Sequence, residues 1–487
     1  MRKRFEHQLV LGQLPIEETP VPLKSRDSLV PLVASLKEIF MVPEWNESVF
    51  EILEQKILSN KKRTGRPGMN LWQIFVLAQV RNCLNIGYAD LQHMANYNKL
   101  IRQLMGVETE FGYKNVEFEY QNILDNVSLL DDATVREMNN VIVEFGHSVF
   151  KKKETEALRL KTDSFVVKSN VHFPTDYNLL WDCARKSLDM VQAFLEKYSN
   201  LPQWRKISNW YTELKNMMRV LSKASISGGP GKEQRIKVVT KKYLKKAYAL
   251  QRKLQTSKSV FPSNDLIDMA LHLELQHYMG LLDKHIDLVE RRLLKGEIIP
   301  HNEKIFSIFE TYTEWITKGK RHPNVELGKN TAITTDQFHL IVDYHVMDHE
   351  TDPGIVTALF ERINTKYKVD SWSFDRGFWN KDNKERLMKE IANVIMPRKG
   401  KKNKTESEEE HQRIFKKLKN KHSAIESNIN ELEHHGLDRC PDRGYEHFKR
   451  YVGLAVCAYN LKRIGKALLE QKRAELNRQN QAEKIAS

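Results

Sequence analysis

The sequence predicts an α/β core, split by a long helical stretch and preceded by an all-helical region. Three observations carry this. The apolar spacing is helical up to about residue 150 and alternates from Leu158 to Val167. It is helical again from Asp176 to about Thr317 and then turns to a period of 2. Residues 318–397 read strand, strand, helix, strand, helix, strand, the pattern of an α/β unit. Finally, an acid, Asp163, stands inside the β-rich run Leu158 to Val167, where burial is costly without a cation or a donor.

Taken in order, residues 1–60 are a helical lead-in, with Leu29, Leu32, Leu36 and Ile39 at helical spacing. Residues 61–150 are expected to be a helical domain that opens on a basic loop, Lys61 to Gly68. Short helices separated by tight turns there fit a DNA-contacting helix-turn-helix, and equally any small helical bundle. Residues 151–184 begin the core with the Asp163 strand, the turn Pro174-Thr175-Asp176 and a helix start. Residues 185–317 read as a helical insertion, broken at Ser227 to Glu233. Residues 318–465 continue the core, with Asp352 as a helix N-cap followed by Pro353. Arg398 to Arg413 reads as a mobile loop with a basic and an acidic half. One helix then carries Ile414, Leu418, Ile425 and Leu432, and a polar, frayed tail spans 466–487.

The 487 residues carry a formal net charge of +15, and the charge is clustered, which favours a polyanionic partner such as nucleic acid. Lys241, Lys242, Lys245 and Lys246 lie in one basic helical run, which reads either as a solvated face or as a track for a phosphate backbone. No run of about 18 apolar residues suggests a membrane span. The N-terminal residues show no apolar signal region, and four scattered cysteines suit a reducing cytoplasm.

Asp163 is one of three acids in matching contexts. Asp375 ends a later strand, where α/β sheets place their sites, and Glu426 lies on a helix beside its apolar stripe. Alone, Asp163 reads equally well as an acid on a solvated strand face. Together, the three suit phosphodiester chemistry, in which two divalent ions about 3.5 to 4 Å apart activate the attacking oxygen and stabilise the leaving one. Mg²⁺ prefers such hard oxygen ligands, and three nearby acids repel without a cation. His434, His435 and Cys440 match no usual zinc spacing.

Four segments in order, TDSFVVKSNVHFPTDYNLLWDCARKSL, ELGKNTAITTDQFHLIVDYHV, SFDRGFWNKDN and HSAIESNINELEHHGLDRCPDRG, resemble the bacterial insertion-sequence transposases of the DDE class. GRPGMNLWQIFVLAQVRNCLNIGYADLQHMANYNKLIRQLMG resembles their helical DNA-binding domain. The resemblance implies an RNase H-like catalytic core and a triad of Asp163, Asp375 and Glu426 binding two Mg²⁺ ions, with Mn²⁺ as substitute. It implies cleavage and strand transfer at terminal inverted repeats by a dimer on double-stranded DNA, in the bacterial cytoplasm at the nucleoid. Arg376, Arg398, Lys399, Lys401, Lys402 and Lys404, with the 241–246 lysines, are the expected DNA contacts. The sequence departs from the family in one place. Where an Arg is expected upstream of the Glu stands His422, and where a Lys is expected downstream stands Glu433, so Glu431 and Glu433 are fallbacks for the third acid. A decayed DNA-binding protein and another RNase H-like nuclease are the competing expectations.

Overall fold

The computed structural model describes residues 2–6, 11–59, 68–110, 116–198, 204, 206–317 and 324–486. Residues 61–67, expected as a basic loop, and residues 318–323 lie outside them. The chain divides into two compact units, Met1–Asn170 with Ile316–Ser487, and Val171–Trp315.

The first unit begins with seven helices: α1 (Leu29–Met41), α2 (Pro43–Ile57), α3 (Leu71–Cys83), α4 (Tyr88–Tyr97), α5 (Lys99–Leu104), α6 (Tyr120–Val127) and α7 (Asp132–Val149). Side chains set their starts. Asn70 and Gln73 form a reciprocal capping box on α3, and Asp131 accepts from Thr134 N–H to cap α7. Strand β1 (Leu158–Lys168) follows. The second unit holds α8 (Asp176–Lys197), α9 (Ile207–Ile226), α10 (Lys232–Lys258) and α11 (Leu266–Leu293). The chain then returns through β2 (Glu314–Thr317), β3 (Val325–Thr335), β4 (Ile341–Val346), α12 (Asp352–Asn364), β5 (Val369–Phe374), α13 (Lys381–Leu387) and β6 (Asn393–Ile395). Four helices close it: α14 (Lys404–His411), α15 (Arg413–His422), α16 (Ala424–Leu432) and α17 (Tyr445–Ala486).

The six strands form one mixed sheet in the order β2-β3-β1-β5-β6, with β4 also paired to β3. β1 is central, antiparallel to β3 and parallel to β5. β3 and β4 pair antiparallel, and β5 and β6 pair parallel. Alternation sorts the two faces. Leu158 and Leu160 join Trp372 and Phe374 in a core against Ile355, Leu359 and Phe360 of α12. The register sets Thr162 opposite Phe374, so Asp375 follows directly beside Asp163.

A second core joins the N-terminal helices to α17 through Leu36, Phe75, Met138, Leu454, Cys457 and Ile464. The approach of α1 and α17 is so close that a Cβ at Gly465 would stand 1.7 Å from the carbonyl oxygen of Pro31. Helix α3 is buried along its whole length, and the exposed positions of α4 are Ala89, Asp90, His93 and Tyr97, none of them a lysine or arginine. α3 is therefore a core helix rather than one laid on the surface. The inserted unit has its own core, with Leu188, Val191 and Phe194 of α8 against Leu250 and Leu282.

Several boundaries differ from those the sequence suggests. Residues 171–184 pack with the insertion, because Leu179, Leu180, Cys183 and Ala184 lie in its core. Arg398 to Arg413 is no mobile loop: Asn403 caps α14 in a box with Glu406, and the two charged halves pair, Arg398 with Glu406 and Lys402 with Glu410. The expected helix through 414–432 is broken at Ser423 into α15 and α16. α17 continues as helix to Ala486, with Leu468 and Leu469 buried. The N-cap of α12 is Thr351, which places Asp352 one residue into the helix.

A candidate carboxylate site at the centre of the sheet

Asp163 lies near the middle of the central strand and accepts a 2.7 Å hydrogen bond from the N–H of Ser164. The strand below it is fixed by a buried polar chain: Trp372 Nε1 donates to Thr162 Oγ1 at 2.7 Å, and that hydroxyl meets Thr334 Oγ1 at 2.7 Å. Burial pushes the Asp163 carboxyl up to about 7. The Ser164 N–H opposes this, and the negative charges of Asp375, Asp352 and Glu426 reinforce it. Asp375 and Glu426, the other two acids singled out by the sequence, thus come within electrostatic reach of Asp163. Asp375 is exposed at the end of β5, and Glu426 is exposed in the first turn of α16, a helix packed on β1.

A fourth acid joins them that local sequence reading assigned to capping. Asp352 Oδ1 accepts from Ser164 Oγ at 2.8 Å, tying α12 to β1 beside Asp163. Its carboxyl is raised by burial and by Asp375, against the Ser164 hydroxyl and Lys399. Gly377 makes room for it, since a Cβ there would stand 2.8 Å from Asp352 Oδ2. An acid ahead of a proline at a helix start reads as a cap in any sequence, and only the pairing of distant segments marks this one as part of a site.

The remaining candidates fall into three groups. Arg376, Lys399, Lys401 and Lys404 are exposed and make no ion pair among the described residues. Arg398 and Lys402 are engaged with Glu406 and Glu410, and the Arg398 guanidinium lies over the Trp379 ring at 5.1 Å. On α10, Lys241, Lys242 and Lys245 are exposed, whereas Lys246 pairs with Glu213 at 2.6 Å and stacks 3.9 Å from the Trp210 ring. Exposed Lys237, Lys241, Lys245 and Arg252 run along one stripe of that helix.

The fallback Glu431 lies in an ion network with Lys466 at 3.0 Å and Lys462 at 3.7 Å, and the other fallback, Glu433, is the C-cap of α16, whereas Glu426 is the acid of this helix whose charge reaches Asp163. His422 shares a 3.1 Å hydrogen bond with Ser373 Oγ, and burial lowers its pKa to about 4, so it is neutral near pH 7 and cannot stand in for an arginine. His435 is held by the Cys83 carbonyl at 2.7 Å, and all four cysteines are buried free thiols.

The donor set is all carboxylate oxygen, which suits a hard divalent cation. Burial first, and the neighbouring acids after it, raise the Asp163 carboxyl, and a bound cation would oppose that shift. Among the described residues, no three of these acids bring ligand atoms within 4.8 Å of one another. Ions held by one or two carboxylates each, with water and substrate oxygens completing the shell, are the compatible form. Among the described residues, no helix is long and apolar enough to cross a membrane. Compared with models of protein families, with curated proteins and with solved structures, the chain matches none.

Proposed function

We propose that the protein is a DNA transposase of the DDE class, built on an RNase H-like core, that cuts and joins DNA strands with Asp163, Asp375 and Glu426. The observation that carries this reading is the placement of three acids: the half-buried Asp163 on the central strand, Asp375 at the end of its parallel neighbour and Glu426 on a helix against the same strand. An RNase H-like core would have its first strand central, an antiparallel strand on one side and a parallel one on the other. The sheet order supports that form.

When bound, Mg²⁺ or Mn²⁺ would supply Lewis-acid activation of the attacking oxygen and of the leaving one. The residues themselves divide the remaining work. Asp163, fixed by Ser164 N–H and the polar chain beneath its strand, would hold the ions together with Asp375 and Glu426. Asp352 adds negative charge behind Asp163 and fixes the start of α12 through Ser164. Arg376 and Lys399, exposed beside the acids, would take DNA phosphates, and the α10 stripe would follow a backbone. Joining two element ends calls for a dimer on DNA.

The test is cleavage and strand transfer on labelled DNA carrying the element's terminal repeat, with Mg²⁺ or Mn²⁺. Asp163→Ala, Asp375→Ala and Glu426→Ala should bind the DNA and neither cut nor join it. An active Glu426→Ala would remove that residue from the triad. Wild-type protein that binds DNA and never cuts would replace this reading with that of a DNA-binding protein without catalysis, and cleavage without joining would make it a nuclease.

A further inference from the structure

A cavity of about 670 Å³ opens between one face of β1, β5 and β6 and the helices α15 and α16. Four cations, Arg159, Lys161, Lys417 and Lys421, line it against a single carboxylate, Asp370. None of the four makes an ion pair among the described residues. Elsewhere the chain pairs its cations readily, as with Arg398, Lys402 and Lys384 close by. Unneutralised charge gathered around a concave surface favours an anion. The volume is that of a small-molecule site, far more than a bare phosphate fills. The rest of the wall includes apolar Ile395 and Leu418, the amides of Asn393 and Asn420, which both donate and accept, and serine hydroxyls. Such a wall fits a flat ring with polar edges.

We propose that this cavity binds a nucleotide, its phosphate on Arg159, Lys161, Lys417 and Lys421 and its base against Ile395 and Leu418 with its edge on Asn393 and Asn420. The ligand's chemistry comes from two sources, a free mononucleotide or the 5′-phosphorylated nucleotide at a strand end. The site also reaches the acids. Ser423, Ala424 and Ser427 line the cavity and flank Glu426 on the same turns of α16. A nucleotide seated here therefore braces the helix that carries Glu426, next to the break between α15 and α16. Binding requires no metal and no strand cleavage, so the inference stands apart from the transposase reading.

The test uses the full chain in EDTA, titrated by calorimetry with dAMP, with dTMP, with inorganic phosphate, and with a 5′-phosphorylated single-stranded trinucleotide. A nucleotide or the trinucleotide should bind more tightly than inorganic phosphate. Arg159→Ala and Lys417→Glu should each weaken binding about tenfold or more. Both positions are exposed, and unchanged melting curves will show that the variants fold. Binding of dAMP or dTMP identifies the free nucleotide as a ligand, and trinucleotide binding with both mononucleotides silent identifies the strand end. The proposal is overturned if none binds better than inorganic phosphate, or if both cavity variants bind like wild type.

Discussion

Replacing Asp163 by Asn keeps the shape of the side chain and removes the charge that its surroundings resist. The carboxyl titrates near 7 in the folded chain and at about 3.8 when unfolded. Below pH 4 both states hold the proton and the group contributes nothing to the pH dependence. Between pH 4 and 7 the unfolded chain releases the proton while the folded chain keeps it, so stability falls as pH rises and stays lower above 7. A gap of about three between the two pKa values, at about 1.36 kcal/mol each, is roughly 4 kcal/mol at pH 8 as an upper figure. In EDTA at pH 8, Asp163→Asn should melt several degrees above wild type, and the difference should vanish near pH 4. Added Mg²⁺ should narrow the gap by raising the wild-type melting temperature alone, and more strongly above pH 7 than below it. Equal melting of the two proteins at both pH values would refute the picture of a half-buried, destabilising charge, and with it the electrostatic case for a cation at this site.

Three further outcomes are expected. Gly377→Ala brings a Cβ to 2.8 Å from Asp352 Oδ2, so the Ser164 to Asp352 hydrogen bond should break. The cost is about 1 kcal/mol, read in the melting temperature, and strand cleavage should fall beyond what that loss explains. Lys241→Glu with Lys245→Glu should weaken DNA binding and reduce the slope of log affinity against log salt by about 2, measured by fluorescence anisotropy across a salt series. Arg81→Met removes the two guanidinium hydrogen bonds to Asp442 and leaves that carboxylate its 3.3 Å pair with Arg450, and should cost about 1.5 to 3 kcal/mol in denaturant unfolding.

The order of strands and helices from β3 to β6 was legible because period 2 and period 3.6 alternate there with Gly, Pro and Asp between them. Asp163 and Asp375 were legible for the same reason, one inside a β-rich run and one at a strand's end. Asp352 was not, since its local signature is that of a helix start and its partner Ser164 lies 188 positions away. The break at Ser423 was hidden because apolar residues keep a near-helical spacing across it. The 398–413 segment misled because charge alone does not show that its two halves fold onto each other as ion pairs. That the first helices share a core with the last one could not be read from any window of sequence, since such pairing joins segments more than 300 residues apart.

That last feature sets a timetable for synthesis. α3 is buried along its length, and part of what covers it is α17, which begins 362 residues after Cys83. At about 5 to 20 residues per second, roughly 20 to 70 s pass between the making of the two. Through that interval Trp72, Phe75 and their neighbours wait without their last covering layer. A product that stops short of α17 never closes this core, so the amino-terminal helices should not outlast it as a free-standing fragment that occupies the partner of the full chain.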